Sequence, residues 1–186
     1  NFLTNVEPYL KDGDLNTISQ KNDYVGLNHY QHTRVKSDPD YLLKARGAYG
    51  NEKPFNMENV ELTLMNWEIV PEAYYNQIME LKNKYNNPII YLTENGCAYP
   101  DIIENGKIND LKRIEFYKKY LSAVKKSIDD GADVRGYMTW TLMDNFEWAL
   151  GFEKRFGLIH VDFETLKRTP KESYYFYENL IKNNGF

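Results

Sequence analysis

Disulfides are the first thing this sequence lacks. It holds a single cysteine, Cys97, in 186 residues. One thiol excludes a bridge within the chain and suits a reducing, cytoplasmic compartment. Long apolar runs are missing too, since none approaches the roughly 18 residues that a membrane-spanning helix needs. There is no basic excess: 23 Lys and Arg stand against 27 Asp and Glu, a formal charge of −4. A nucleic-acid binder would carry a basic stripe instead. The chain opens Asn1-Phe2-Leu3, with neither Met nor a charged-then-apolar leader, so the reading is of a chain that does not start at a native N-terminus. No Asn-x-Ser/Thr acceptor occurs either, and nothing points to secretion.

Aromatic residues are plentiful, with 16 Tyr, 9 Phe and 3 Trp. Tyrosine in such excess serves either as packing with a polar tip or as a set of flat faces for sugar rings. The length allows one ordinary domain with a sizeable core.

Strands and helices alternate along the chain. Asp23 to Asn28 reads as a short buried strand. Residues 31–66 are polar and rich in turn formers, a long loop of the kind that carries function or covers a site. Pro71 suits a first helical position, and Tyr74, Ile78, Leu81 and Tyr85 recur on one helical face until Pro88 ends it. Ile89 to Thr93 is a strand, and residues 96–109 form a second loop. Asp110 is a fair N-cap for a helix striped by Ile114, Tyr117, Leu121, Val124 and Ile128, with Gly131 as its stop. Val134 to Leu142 is a third strand, followed by a loop over 143–157 and a short extended piece, His160 to Phe163. Thr169-Pro170-Lys171-Glu172 reads as a capping box with proline at the first position. It opens a last helix with Tyr174, Tyr177 and Ile181 turned inward.

This order implies an α/β fold with parallel strands and helices packed outside. Three strands cannot close a barrel, and an open sheet that small leaves bare edges. Residues 1–186 are therefore expected to be one partial domain, completed by something larger or by another chain.

Several residues could carry chemistry. Glu94 comes at the end of a buried strand beside the turn that Gly96 permits. It is either a carboxylate poised to attack an anomeric carbon or an ordinary acidic residue at a strand end. Thr139 to Trp148 runs from the end of the third strand, where Trp140 lies, into the loop after it. There Trp140 could floor a sugar ring, Glu147 could take two hydroxyl hydrogen bonds and Trp148 could add an indole donor. The alternative is a Trp-rich core corner with a surface Glu. Asn28 could bond a sugar hydroxyl, and Tyr30 could donate its phenol to Glu94 and hold it ionised. His29 and His32 are three apart and could mimic a metal pair, but no further His or Cys converges, so no metal site is expected. Cys97 lacks an obvious base and is read as structural.

Taken in order, the motifs are specific. Asp23-Tyr24-Val25-Gly26-Leu27-Asn28-His29-Tyr30, Trp67-Glu68-Ile69, Leu92-Thr93-Glu94-Asn95-Gly96, Trp140-Thr141-Leu142-Met143-Asp144-Asn145-Phe146-Glu147-Trp148 and Arg155-Phe156-Gly157-Leu158-Ile159-His160-Val161-Asp162 stand in this sequence. The set resembles glycoside hydrolase family 1 over nearly the whole chain. That resemblance implies the last three or so βα units of a (β/α)8 TIM barrel of retaining β-glycosidases, commonly β-glucosidases, with no cofactor. It implies Glu94 as nucleophile and Tyr30 as the phenol touching it. Asn28 would lie near the sugar and the catalytic carboxylates, and Trp140 would be the aromatic platform. Glu147 and Trp148 would grip the far hydroxyls, and Phe156 would border that pocket. A carboxylate at 147 would repel a phosphate, so the expected substrate is a β-glycoside of a free sugar, glucose first, with galactose or fucose as other choices. Residues 31–66 would border the leaving group.

Two departures from the family pattern matter. His29-Tyr30 replaces a Tyr-Tyr pair but keeps the contacting phenol. The family's Asn-Glu-Pro motif, source of the acid/base carboxyl, is missing, and Asn5-Val6-Glu7-Pro8 has an extra residue and precedes the first strand. The expected partner is thus the N-terminal portion of the same barrel. The alternative is a non-catalytic sugar-binding or structural fragment.

Overall fold

The computed structural model describes residues 7–40, 45–47 and 60–186. A single turn of 3-10 helix, Glu7–Tyr9, and a short helix α1 (Asp14–Ile18) lead into strand β1 (Val25–Asn28). β2 (Val35–Ser37) pairs antiparallel with β3 (Ala45–Gly47). The segment read as a structureless loop over 31–66 therefore contains a small ribbon, and its residues 41–44 and 48–59 lie outside the described residues. Then come α2 (Pro71–Lys84), β4 (Ile90–Asn95), the hairpin β5 (Ile103–Glu104) and β6 (Lys107–Ile108), and α3 (Leu111–Asp129). β7 (Val134–Thr139), the antiparallel pair β8 (Ile159–Val161) and β9 (Arg168–Pro170), and α4 (Glu172–Asn183) complete the chain.

β1, β4 and β7 form one parallel sheet in that order. Parallel neighbours need long crossovers, and α2 and α3 supply them. Both helices pack on one face of the sheet. Tyr74 and Ile78 of α2, Ile90 and Leu92 of β4, and Phe116, Tyr117, Tyr120 and Val124 of α3 make up most of the core. A fully buried aromatic or branched side chain contributes roughly 1.5–3 kcal/mol, so this layer carries most of the stability. Gly131 takes φ 89° just past the end of α3, the left-handed stop that glycine supplies without strain.

Helical faces were legible, but their centres were not. In α3 the buried positions are Arg113, Phe116, Tyr117, Tyr120, Val124 and Ser127, while Ile128 is exposed. The face is turned toward the rings because aromatic side chains fill the interlayer space better than Ile114 or Ile128. Arg113 is drawn in by polar partners described below. Tyr85 and Ile181, both expected inside, are also exposed. Ile181 borders an open apolar hollow of about 380 Å³ with Tyr137, Leu158, Tyr174 and Tyr177. That hollow adjoins β7, an edge strand of the three-stranded sheet.

Both expected caps are corrected. Asp110 precedes α3 but makes no side-chain cap bond to it. Its carboxylate instead accepts from Ser173 N at 2.8 Å and Ser173 Oγ at 2.5 Å, capping the first turn of α4 from across the fold. It also pairs with Arg113. The Thr169–Glu172 capping box is absent: Pro170 lies in β9, Lys171 is the residue before α4, and neither side chain caps. A cap was already available in Asp110, and the ladder with β8 claims residues 168–170.

Lys171 is fully buried. Its Nζ lies 2.7 Å from Asp101 Oδ2 and 3.2 Å from Asp144 Oδ1. Arg155 Nη1 reaches Asp144 at 3.1 Å, and Arg113 pairs with Asp110. The carboxylates of Asp101, Asp110 and Asp144 are thus matched by Arg113, Arg155 and Lys171. Buried charge is tolerated only when paired, and removing one partner strands the other. Lys171→Met is expected to lower the unfolding free energy in urea by about 3–5 kcal/mol. A loss below about 1 kcal/mol would show that the cluster is not a stabilising unit.

Candidate active site

The three parallel strands deliver polar groups at their C-terminal ends. The register between β1 and β4 runs Val25 to Ile90, Gly26 to Tyr91 and Leu27 to Leu92, then slips so that Asn28 pairs with Glu94. A bulge of this kind re-aims side chains. Along β4, Ile90, Leu92 and Asn95 are buried, whereas Thr93 and Glu94 are only partly so. Without the slip, strict alternation would put Glu94 among the buried residues and Asn95 opposite.

Glu94 Oε2 accepts the Tyr30 hydroxyl at 2.6 Å. Thr93 Oγ1 donates to Asn28 Oδ1 at 2.6 Å, which sets the neighbouring amide. Asn95 locks the strand end from behind. It donates to His29 O at 2.8 Å and accepts the Tyr137 hydroxyl at 2.7 Å. Trp140 N donates to Asn95 O at 2.9 Å, so the end of β7 lies against the end of β4. Gly96 makes that approach possible, because a Cβ there would overlap Trp140 O.

The Glu147 carboxyl reaches the same place. Burial raises its pKa, a hydrogen bond from the Trp140 side chain counters, and the nearby Glu94 charge raises it further. Burial and these carboxylates also push the Tyr30 phenol far above its ordinary value, so it stays a donor. Tyr30, Glu94, Trp140 and Glu147 therefore converge, with Asn28 beside them. Trp148 follows Glu147 in a single 3-10 turn, Trp148–Leu150, and is 82% exposed, with φ 43°. Phe156 lies one layer back from these groups. At 2% exposure it lies behind Tyr30, ring centroids 6.3 Å apart, with Met65 and Ala98 around it. It backs the phenol and offers almost no face to a ligand.

The two histidines read as a conceivable metal pair go to separate partners. His29 stacks on Tyr74 and lies 2.7 Å from Gln77 Oε1, while His32 lies 2.6 Å from Glu68. Cys97 is buried, which pushes its thiol up to about 12, too high for a nucleophile near neutral pH. Asp101, Asp144 and His160 are close enough to suggest a cation site, but Lys171 and Arg155 already occupy their oxygens.

Two contributors were not legible as such. Trp67 packs on Tyr30 with centroids 5.2 Å apart; the Trp67-Glu68-Ile69 motif was visible, but no role came with it. Asp144 holds the loop that bears Glu147. Its oxygens accept Gly157 N at 2.8 Å and Val161 N at 3.3 Å. A cluster that joins residues this far apart leaves no local pattern.

The fold and the site define a segment of a parallel α/β barrel with its polar and aromatic groups gathered at the C-terminal face. Comparison with protein-family models finds Glycosyl hydrolase family 1 over residues 3–186. Beta-glucosidase A of Thermotoga maritima is 43% identical over 173 residues, covering 92% of this chain and 37% of that protein. The 1,4-beta-D-glucan glucohydrolase of Thermotoga neapolitana is 42% identical over 185 residues, covering 99% and 40%. Among solved structures, a Thermotoga maritima family 1 glycoside hydrolase complexed with a cyclophellitol analogue transition state mimic matches with TM-score 0.88 and 41% identity. That match covers 99% of this chain and 40% of the other. The chain belongs to glycosyl hydrolase family 1 and corresponds to a C-terminal part of its TIM barrel. It spans about two fifths of the length of these relatives. Among the described residues, no helix is long and apolar enough to cross a membrane.

The raised pKa of Glu147 gives a pH prediction. The folded chain holds that proton to higher pH than the unfolded chain does. Its contribution is therefore full at low pH and is lost as pH rises through the folded value. Glu147→Gln removes the titration. Between about pH 4 and 7 the variant's thermal midpoint should gain on the parent's as pH rises. A difference that stays flat in circular-dichroism melts over that range would contradict the assignment.

Proposed function

We propose that this chain supplies the nucleophile and most of the sugar-binding groups of a retaining β-glucosidase, and that the acid/base Glu comes from the N-terminal portion of the same barrel. The observation that carries this reading is the 2.6 Å hydrogen bond from Tyr30 to Glu94 at the end of β4, with Glu147 and Trp140 alongside. Family membership supports hydrolysis of a glycosidic bond.

In the mechanism, one Glu94 oxygen attacks the anomeric carbon as the C–O bond to the leaving group breaks. The carboxyl from the other portion protonates the departing oxygen. That carboxylate then takes a proton from water, whose oxygen attacks the same carbon and releases Glu94. Two carboxyl groups about 5–5.5 Å apart suit this double displacement. Tyr30 holds Glu94 in one orientation for attack. Trp140 floors the sugar, Asn28 binds a hydroxyl near the reacting carbon, and Glu147 with Trp148 grips the far hydroxyls. Phe156 acts through Tyr30. A second negative charge beside Glu147 would be repelled in a partly desolvated pocket, which favours a free glucoside over a phosphorylated one. A lone buried thiol fits a reducing cytoplasm.

The isolated chain is expected to show no appreciable glycosidase activity and to recover it when mixed with the remainder of the barrel. Robust turnover by the pure chain refutes the division of labour. In the assembled enzyme, Glu94→Ala should cut kcat by roughly 10³-fold or more, with partial rescue by azide. Saturable glucose binding by the lone chain, read by Trp fluorescence, together with no activity on assembly, would favour a non-catalytic sugar-binding role.

A further inference from the structure

The turn before α2 grips the segment after β1 at two places. An antiparallel bridge joins Leu62 to Glu68. Thr63 N donates to Trp67 O and Asn66 N to Thr63 O, both at 3.0 Å, and Asn66 sits at φ 58°. These bonds close a tight reverse turn. Leu64 N donates to Ala98 O at 3.0 Å, so the turn is also fastened to the chain just past Glu94.

Two consecutive side chains of this turn hold the segment that follows β1. Trp67 lies against the Tyr30 ring, and Phe156 closes the triangle, 5.9 Å from Trp67. Glu68 is 1% exposed. It accepts Arg34 Nε at 2.6 Å and Arg34 Nη2 at 3.1 Å, and His32 Nε2 lies 2.6 Å away. His32 and Arg34 are two and four residues past Tyr30. Burial pushes the Glu68 carboxyl up, but the bonds from Arg34 and His32 outweigh it and hold it below the ordinary value. A buried carboxylate with charge-assisted bonds to a forked guanidinium is a fixed point in the structure. Glu68 has no part in the chemistry proposed above, yet its anchor lies immediately beyond the phenol that touches Glu94.

We infer that Glu68 is a positioning residue: by anchoring His32 and Arg34, with Trp67 as backing, it holds the Tyr30 hydroxyl on Glu94. The inference rests on the reading of Glu94 as nucleophile. Tyr30 is the second residue past β1, outside the sheet ladder, and it is only partly buried. Without the anchor it would swing with the segment 31–34. Misplacement of about 1 Å at a reacting group lowers a rate by up to roughly 100-fold.

A double-mutant cycle tests this in the assembled enzyme. Glu68→Gln and Tyr30→Phe are made singly and together, with folding checked by circular dichroism, and kcat is measured on a nitrophenyl β-glucoside. Each single change should lower kcat roughly 10- to 100-fold. The double variant should fall within about 2-fold of Tyr30→Phe alone, because both changes remove one interaction. Losses that multiply, or a Tyr30→Phe enzyme with unchanged kcat, overturn the inference. Arg34→Gln, at a partly exposed position, covers a failure of Glu68→Gln to fold and should show the same non-additivity. Glu94→Ala separates the two readings. Retained activity there sinks the nucleophile assignment, whereas lost activity with multiplying Glu68 and Tyr30 effects sinks the anchor alone.

Discussion

The slip in register between β1 and β4 is the constraint on which the site depends. Parallel pairing brings Leu27 to Leu92, and then Asn28 to Glu94. One residue is gained on β4, and the alternation of its side chains breaks there. Asn95 takes the buried position and becomes the hub for His29 O, the Tyr137 hydroxyl and Trp140 N. Glu94 is left on the other face, where the Tyr30 phenol meets it. The same slip that seals the helix side thus frees a carboxylate at the strand mouth.

A second constraint lies outside the sheet. Glu147 is carried by the segment between β7 and β8, where Glu147 N donates to Gly151 O at 2.6 Å and Asp144 N to Ile159 O at 3.0 Å. The Asp144 side chain adds to these bonds by accepting backbone N–H groups from Gly157 and Val161. Arg155 and Lys171 neutralise it, and Asp110 ties the same cluster to the start of α4. The approach is so close that a Cβ on Gly157 would overlap Asp144. The loop is therefore held as part of the fold, and the Glu147 carboxyl is presented from a rigid base. Preorganisation of that kind lets a binding group act without first being ordered.

The exposed apolar groups fit a partial barrel. Tyr24 just before β1 and Met138 in the edge strand β7 are exposed, and Ile181 is exposed on α4 beside the hollow. Unpaired edges and apolar faces call for cover. In relatives more than twice this length, the rest of the barrel is the natural source of that cover.

Much of this was readable from the order of residues alone. Three apolar strands, two amphipathic crossovers and the placing of Glu94 beside Gly96 follow from periodicity and turn chemistry, which act over a few residues. The charge count and the missing second carboxyl motif likewise belong to the sequence. Tertiary structure decided what depends on distant partners. It chose Asp110 as the cap of α4 over a local capping box, turned the buried face of α3 onto its rings, put Phe156 behind Tyr30 and joined Glu68 to Arg34. The physical reason is range. A helix face or a turn is settled by neighbours along the chain, whereas a buried charge or a phenol aimed at a carboxylate is settled by whichever groups packing brings within about 3 Å.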